Sequence, residues 1–137
     1  MRFMIIVKAT VDSEAGVMPS AGLIAEMADY HEQLAKAGVL LDGSGLKPSS
    51  TGWRIDYDGD EHSITQGPFA ATKELIAGYT MIQVSSREEA IEWSRRYPNP
   101  AVDHGVGQIE VRQLFELDDF EPSEGLERMR SMNEQPG

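Results

Sequence analysis

Two stretches of helical periodicity, each enclosed between runs of β-forming residues, set the tightest limit on what this chain can fold into. Over 20–37 the apolar residues Leu23, Met27, Tyr30 and Leu34 recur at helical spacing, Pro19-Ser20 offers a start, and Gly38 offers a left-handed stop. A second helix opens on a capping box, Ser85 with Glu88 or, one frame later, Ser86 with Glu89, and Pro98 and Pro100 close it.

The flanking segments read as strands. Arg2 to Ala9 holds Phe3, Ile5, Ile6 and Val7, apolar at both alternating positions, as expected of a central strand covered on both sides. Val39-Leu40-Leu41 forms a second strand that runs into a loop at Asp42-Gly43-Ser44-Gly45, where the backbone can come close to another group. Trp53, Ile55 and Tyr57 alternate with Arg54, Asp56 and Asp58, the turn Asp58-Gly59-Asp60 intervenes, and His62 and Ile64 alternate with Glu61, Ser63 and Thr65, which describes a hairpin with one wet face. Gly67-Pro68-Phe69 stops the hairpin, Ala71 to Ile76 reads as one helical turn, and Tyr79 to Val84 is a strand with Tyr79, Met81 and Gln83 on one side. Gln108 to Phe115 alternates Ile109, Val111 and Phe115 with polar residues and closes the sheet.

The order strand, helix, strand, inserted hairpin, strand, helix, strand predicts an α+β fold of the ferredoxin-like βαββαβ kind, with both helices on one face of an antiparallel sheet. Apolar residues on the uncovered face then call for a second copy, and a twofold homodimer whose sheets face each other is the simplest closed solution. With 137 residues the chain suits one domain. That domain is expected over 1–117. Residues 118–137 follow as an acidic C-terminal tail, in which Leu126, Met129 and Met132 fall on one side of a short helix and the closing Pro136-Gly137 suits a loosely held end.

Composition removes several function classes. There is no cysteine, which excludes thiolate nucleophiles, thiolate zinc sites and iron–sulfur clusters. The 23 acids against 12 lysines and arginines, net −11, leave no basic stripe for a phosphate backbone, so no nucleic-acid partner is expected. The amino terminus is apolar for only a few residues before Lys8, too short for a membrane span or a signal peptide, and a cytoplasmic location with no membrane contact follows as the expectation. No glycine pattern opens a helix as a nucleotide loop does, and no histidines or carboxylates share metal-ligand spacing on one element, so neither a cofactor nor a metal is expected.

Six residues are candidates for lining a ligand pocket. His31 borders the apolar stripe of the first helix, where it reads either as an acid–base group near neutral pH or as a core-edge hydrogen-bond donor. Lys73 and Glu74 present a cation and a carboxylate just after the Gly-Pro-Phe turn, or form a solvated pair. Lys8 and Arg112 are cations on apolar strands and need a partner, which an internal ion pair with Glu110 would supply. Tyr79 completes the set, and no catalytic residue is assigned.

One segment carries a family resemblance. Gln66-Gly67-Pro68-Phe69-Ala70-Ala71-Thr72-Lys73-Glu74 resembles the Asp-Gly-Pro-Phe-Ala-Glu-Thr-Lys-Glu signature of the DGPF branch of the YCII-related family, and Gly78-Tyr79 and a strand follow it as they do there. Ala37-Gly38-Val39-Leu40-Leu41, Gly43-Ser44-Gly45-Leu46, Ile91-Glu92-Trp93, Pro98-Asn99-Pro100 and Ile109-Glu110-Val111-Arg112 also fall in the family's order, so the likeness spans roughly Met1 to Phe115. It implies a ferredoxin-like dimeric α/β-barrel with a pocket between sheet and helices, hence a dimeric small-molecule-binding protein or cofactor-free enzyme of unknown reaction. Alternatively it implies a regulatory module with a protein partner such as an extracytoplasmic-function sigma factor. The signature aspartate is Gln66 here and its first glutamate is Ala71, and the general family's helix histidine falls nearer Met27 than His31, so its His-Asp pair does not carry over.

Overall fold

A computed structural model of the protein describes residues 1–70 and 72–134, so the departure at Ala71 and the closing Pro136-Gly137 lie outside the described residues. Strand β1 (Arg2–Lys8) leads through a short helix α1 (Val11–Glu14) into α2 (Ala21–Lys36) and then β2 (Leu40–Gly45). The hairpin β3 (Trp53–Asp58) and β4 (Glu61–Gln66) follows, then β5 (Ile76–Gln83), α3 (Arg87–Arg95), β6 (Ile109–Gln113) and α4 (Glu124–Glu134). The result is a mixed α+β fold in which β2, β5, β1 and β6, in that order, make a four-stranded sheet with every pair antiparallel.

Strand alternation decides which face the helices cover. Phe3, Ile5 and Val7 stand beside Ile82, Thr80 and Gly78 of β5 and Gln113, Val111 and Ile109 of β6. On this face Phe3, Ile5 and Ile82 pack with Tyr30 and Leu34 of α2 and Ala90 of α3. Ile5, Leu34 and Ile82 are fully buried, and each contributes roughly 1.5–3 kcal/mol of apolar transfer. Tyr30 also ties the two helices together, since its hydroxyl donates to the Trp93 carbonyl at 2.7 Å. Met4, Ile6, Tyr79 and Met81 point to the opposite face.

The helix signals work as local chemistry requires. Ser20 caps α2 by accepting from the Leu23 N–H at 3.1 Å, and Gly38 at φ +76° follows its end. For α3 the second frame wins: Ser86 accepts from the Glu89 N–H, while the Glu89 carboxylate accepts from the N–H of Ser85.

Three local expectations change. Residues 42–45 are not a loop but the continuation of β2, paired with Met81 through Gly78 of β5, because an ordered neighbour strand supplies ladder bonds that a glycine-rich composition does not advertise. Helix α1 was not foreseen, since its box is Thr10 with Ser13 rather than with a carboxylate and spans a single turn. The hairpin has no dry face within one chain: it forms a separate two-stranded sheet with every residue exposed, leaving Trp53 at 61%, Tyr57 at 76% and Ile64 at 59% of their full surface.

After β6 the chain is held at several points. The Arg2 Nε donates to both Glu116 carboxylate oxygens, at 2.9 and 3.2 Å, and this bond raises the Arg2 pKa. Arg130 of α4 reaches Asp118 at 3.0 Å. Among the described residues no helix is long and apolar enough to cross a membrane.

Candidate functional site: a cavity beneath the first long helix

Where α2 passes over β2 and β5, the sheet gives up its side chains. Gly43 and Gly45 of β2 and Gly78 of β5 share the helix-facing side, with Gly45 directly opposite Gly78. Each position needs the missing Cβ to a different degree. A Cβ at Gly78 would lie 2.9 Å from the Ser44 carbonyl oxygen, and one at Gly43 would lie 3.4 Å from His31 Nε2, whereas one at Gly45 would meet nothing closer than 4.0 Å. The bared main chain is the floor of a cavity of about 800 Å³, and Leu23, Met27, Met18, Val17, Val7 and Pro100 give it apolar walls.

His31 hangs from α2 over that floor. Its Nδ1 lies 2.7 Å from the carbonyl oxygen of Met27, one turn earlier, and its Nε2 lies 2.8 Å from the Thr80 hydroxyl. A carbonyl only accepts, so Nδ1 carries the proton, and in the neutral ring Nε2 accepts from Thr80. Thr80 is buried on β5 and a hydroxyl rotates, so the same oxygen accepts when Nε2 is protonated, with no heavy atom moving. The imidazole can therefore take up or release a proton at Nε2 while both nitrogens stay partnered.

Aromatic rings fix this histidine from behind. Tyr30 packs edge-on against it at 5.6 Å between centroids, and Tyr97, which also lines the cavity, does so at 6.3 Å. Burial pushes the Tyr97 phenol up, partly offset by a side-chain hydrogen bond with Thr80. Burial likewise pushes the Tyr30 phenol up to about 12, so both remain neutral donors around neutral pH.

The rim is built by the segment after β2, held from two sides. Glu14 of α1 accepts from the Ser49 N–H at 2.9 Å and from the Ser49 hydroxyl, whose oxygen accepts the Phe69 N–H at 3.0 Å. A Cβ on Gly67 would lie 1.8 Å from the Ser49 carbonyl oxygen. Gly67-Pro68-Phe69 thus braces the strip that carries Lys47 and Pro48 into the cavity wall, and Phe69 is itself covered by the Arg54 guanidinium at 4.0 Å.

The six candidate residues do not converge. His31 places its side chain at the cavity, and Tyr79 forms part of the wall, but its position in β5 turns its side chain to the other face, where its hydroxyl donates to Asp42 at 2.9 Å. Lys8 and Arg112 also stand on that other face. Arg112 pairs with Glu110 of its own strand at 3.4 Å and is largely exposed, and among the described residues Lys8 has no ion pair, so the internal pair expected to serve both cations does not form. Lys73 and Glu74 occupy an exposed single turn outside the cavity. Sequence reasoning missed Thr80, Tyr97, Lys47 and Gly78, whereas the close approach of another group expected at Gly43-Ser44-Gly45 is met by His31 over Gly43, on a strand rather than a loop. A signal existed for Thr80, a hydroxyl between Gly78 and Ile82 on the apolar phase of a strand.

Fold and site together define a mixed α+β domain with an open cavity between its antiparallel sheet and one covering helix. The chain belongs to the YCII-related domain family, whose profile it matches over residues 1–118. Among curated proteins it is similar to the uncharacterized protein R00369 of Rhizobium meliloti (strain 1021), with 28% identity over 89 residues, 65% of this chain and 70% of that protein. Among solved structures it is similar to 5-chloro-2-hydroxyhydroquinone dehydrochlorinase (TftG) from Burkholderia phenoliruptrix AC1100, in complex with 2,5-dihydroxybenzoquinone, at 15% identity and a TM-score of 0.45, covering 84% of this chain and 94% of that chain.

Proposed function

We propose that the protein is a homodimeric small-molecule-binding protein of the DGPF branch, that its ligand occupies the cavity beneath α2, and that His31 acts there as an acid–base group without a cofactor. The observation that carries this reading is the His31–Thr80 bond of 2.8 Å at the wall of a cavity of about 800 Å³. Ligand pockets are mostly apolar with few, well-placed polar groups, and an imidazole partnered in both protonation states is suited to proton transfer.

The dimer is supported by what one chain leaves uncovered. With the hairpin set aside, the order β2-β5-β1-β6 fits a ferredoxin-like sheet, and its face opposite α2 and α3 carries Met4, Ile6, Tyr79 and Met81, which one chain leaves only half-buried. The exposed Trp53, Ile55, Tyr57 and Ile64 lie on one side of the hairpin. A second copy stacked sheet to sheet covers both surfaces and closes an α/β-barrel, with Lys8, Tyr79 and Arg112 between the sheets. The domain then spans 1–117, and 118–137 is an appended acidic tail.

A thermal-shift screen of small organic metabolites on the wild type and on Gly45→Val tests the binding site. A side chain at 45 enters the cavity from an uncrowded position, since the nearest atom to a Cβ there is the Ala77 carbonyl oxygen at 4.0 Å. A ligand at a hundred times its Kd stabilises by about 2.7 kcal/mol, a readily measured shift. Hits that shift the wild type and lose the shift in a folded Gly45→Val support the site, whereas hits that shift both equally place binding elsewhere.

A further inference from the structure

The charge pattern of the cavity narrows its ligand, given the binding role just proposed. Acids make up 23 of the 137 residues of this chain, yet none of the described residues lining the cavity is an aspartate or a glutamate. The nearby carboxylates are turned to other work: Glu14 is bonded to Ser49 at the rim, and Asp42 accepts from Tyr79 on the far face of the sheet. Among the described lining residues the one full charge is Lys47, and His31 adds a titratable group hydrogen-bonded to Thr80.

A cationic ligand entering this space leaves its hydration shell and meets no counter-charge, an unfavourable exchange for an ammonium among apolar side chains. An acidic oxygen meets the opposite. It can be received by the Thr80 O–H, whose proton is freed when the Thr80 oxygen accepts from Nε2–H of a protonated His31, so the imidazolium charge lies one hydrogen bond behind it, with Lys47 at the rim. The carboxylate at the rim, Glu14, is neutralised in part by the two hydrogen bonds it accepts from Ser49, and surface charges more than about 8–10 Å away are largely screened at physiological salt.

We infer that the cavity selects a small, largely apolar molecule bearing one acidic oxygen group, a carboxylate or a phenol, with that group set against His31 and Thr80 and the apolar body lying on the floor of Gly43, Gly45 and Gly78. The floor is bare main chain, so a flat ring system is the appropriate body for a probe.

Isothermal titration calorimetry with four naphthalenes sharing that body tests the assignment: 2-naphthoate, 2-naphthol, 2-naphthylmethanol and 2-naphthylmethylamine, each against the wild type, Gly45→Val and Lys47→Gln. At least one of the two acids is expected to bind about tenfold or more tightly than the neutral alcohol, and the amine more weakly still. Lys47→Gln is expected to weaken whichever acid binds more tightly by a few-fold and to leave the neutral alcohol unchanged, roughly the effect of removing one exposed charge. An amine or alcohol that binds as tightly as both acids, with binding lost in Gly45→Val, overturns the acid assignment while the cavity remains the ligand site. Probe binding that Gly45→Val leaves unaltered, or no binding by any of the four, overturns both.

Discussion

His31 and Thr80, 49 positions apart in the chain, meet at 2.8 Å because α2 crosses the sheet where β2 has no side chains to hold it off. The bond spans helix and sheet, so it serves stability as well as chemistry. Thr80→Val keeps the volume and removes the hydroxyl, leaving Nε2 without its partner. A loss of about 1 kcal/mol in urea unfolding is expected, at the lower end of the cost of an unsatisfied polar group because His31 is only half-buried. A double-mutant cycle with His31→Ala should give a coupling of about 0.5–1.5 kcal/mol, and additive losses would mean that the bond does not form in solution.

Glycines 45 and 67 make a matched contrast. At Gly67 a methyl group would collide with the Ser49 carbonyl, and the bonds linking Glu14, Ser49 and Phe69 would break with it. Gly67→Ala should therefore cost about 1–3 kcal/mol or more, as overpacking of rigid main chain does. Gly45→Ala has room and sits in a strand, where alanine removes backbone entropy from the unfolded chain, so it should be neutral to mildly stabilising. Equal denaturation midpoints for the two variants would contradict the close approach at Ser49.

Tyr30 predicts an alkaline weakness. An exposed phenol loses its proton near ~10, whereas burial holds Tyr30 to about 12 in the folded protein. Below the lower value both states are protonated and the stability is fully present. As pH rises through this window the unfolded chain gives up the proton first, and stability is lost progressively. Tyr30→Phe, which forfeits the bond to Trp93, should be about 1 kcal/mol less stable at pH 8, and the gap should close as pH climbs from 10 toward 12. Melting curves that stay parallel over that range would count against a buried neutral phenol.

The uncovered surfaces predict assembly. Light scattering at low micromolar concentration should report a dimer, and a double substitution Trp53→Glu with Ile64→Glu, at hairpin sites that are mostly exposed in one chain, should yield a folded monomer. A wild-type monomer with the same melting temperature would remove the barrel from this account.

Much of the fold was legible because its signals are local. The stripe from Leu23 to Leu34, the Ser20 cap, the Gly38 stop and the Ser86–Glu89 box each lie within a few turns of what they specify. The site was less legible because it is assembled from afar. His31 could be placed at the edge of a helix, but its partner Thr80 is reached only through the pairing of β5 with β2 and β1, and Tyr97 only through the turn after α3. The composition at Gly43 and Gly45 suits a loop and a close approach of the backbone, but does not say what approaches. Their role depends on the neighbouring strand and on the helix above, neither of which their own residues encode. Lys8 and Arg112 show the converse limit, since a cation amid apolar neighbours looks buried until the sheet is seen to have an open side.

The central claim is that the space beneath α2 is where a ligand sits. A crystal structure of the protein soaked with its tightest-binding small molecule tests it most directly. The account predicts electron density for an acidic oxygen within hydrogen-bond distance of His31 Nε2 or Thr80 Oγ1, above the floor of Gly43, Gly45 and Gly78. Density on the opposite face of the sheet, beside Lys8 and Arg112, or a cavity closed by its own side chains, would contradict it.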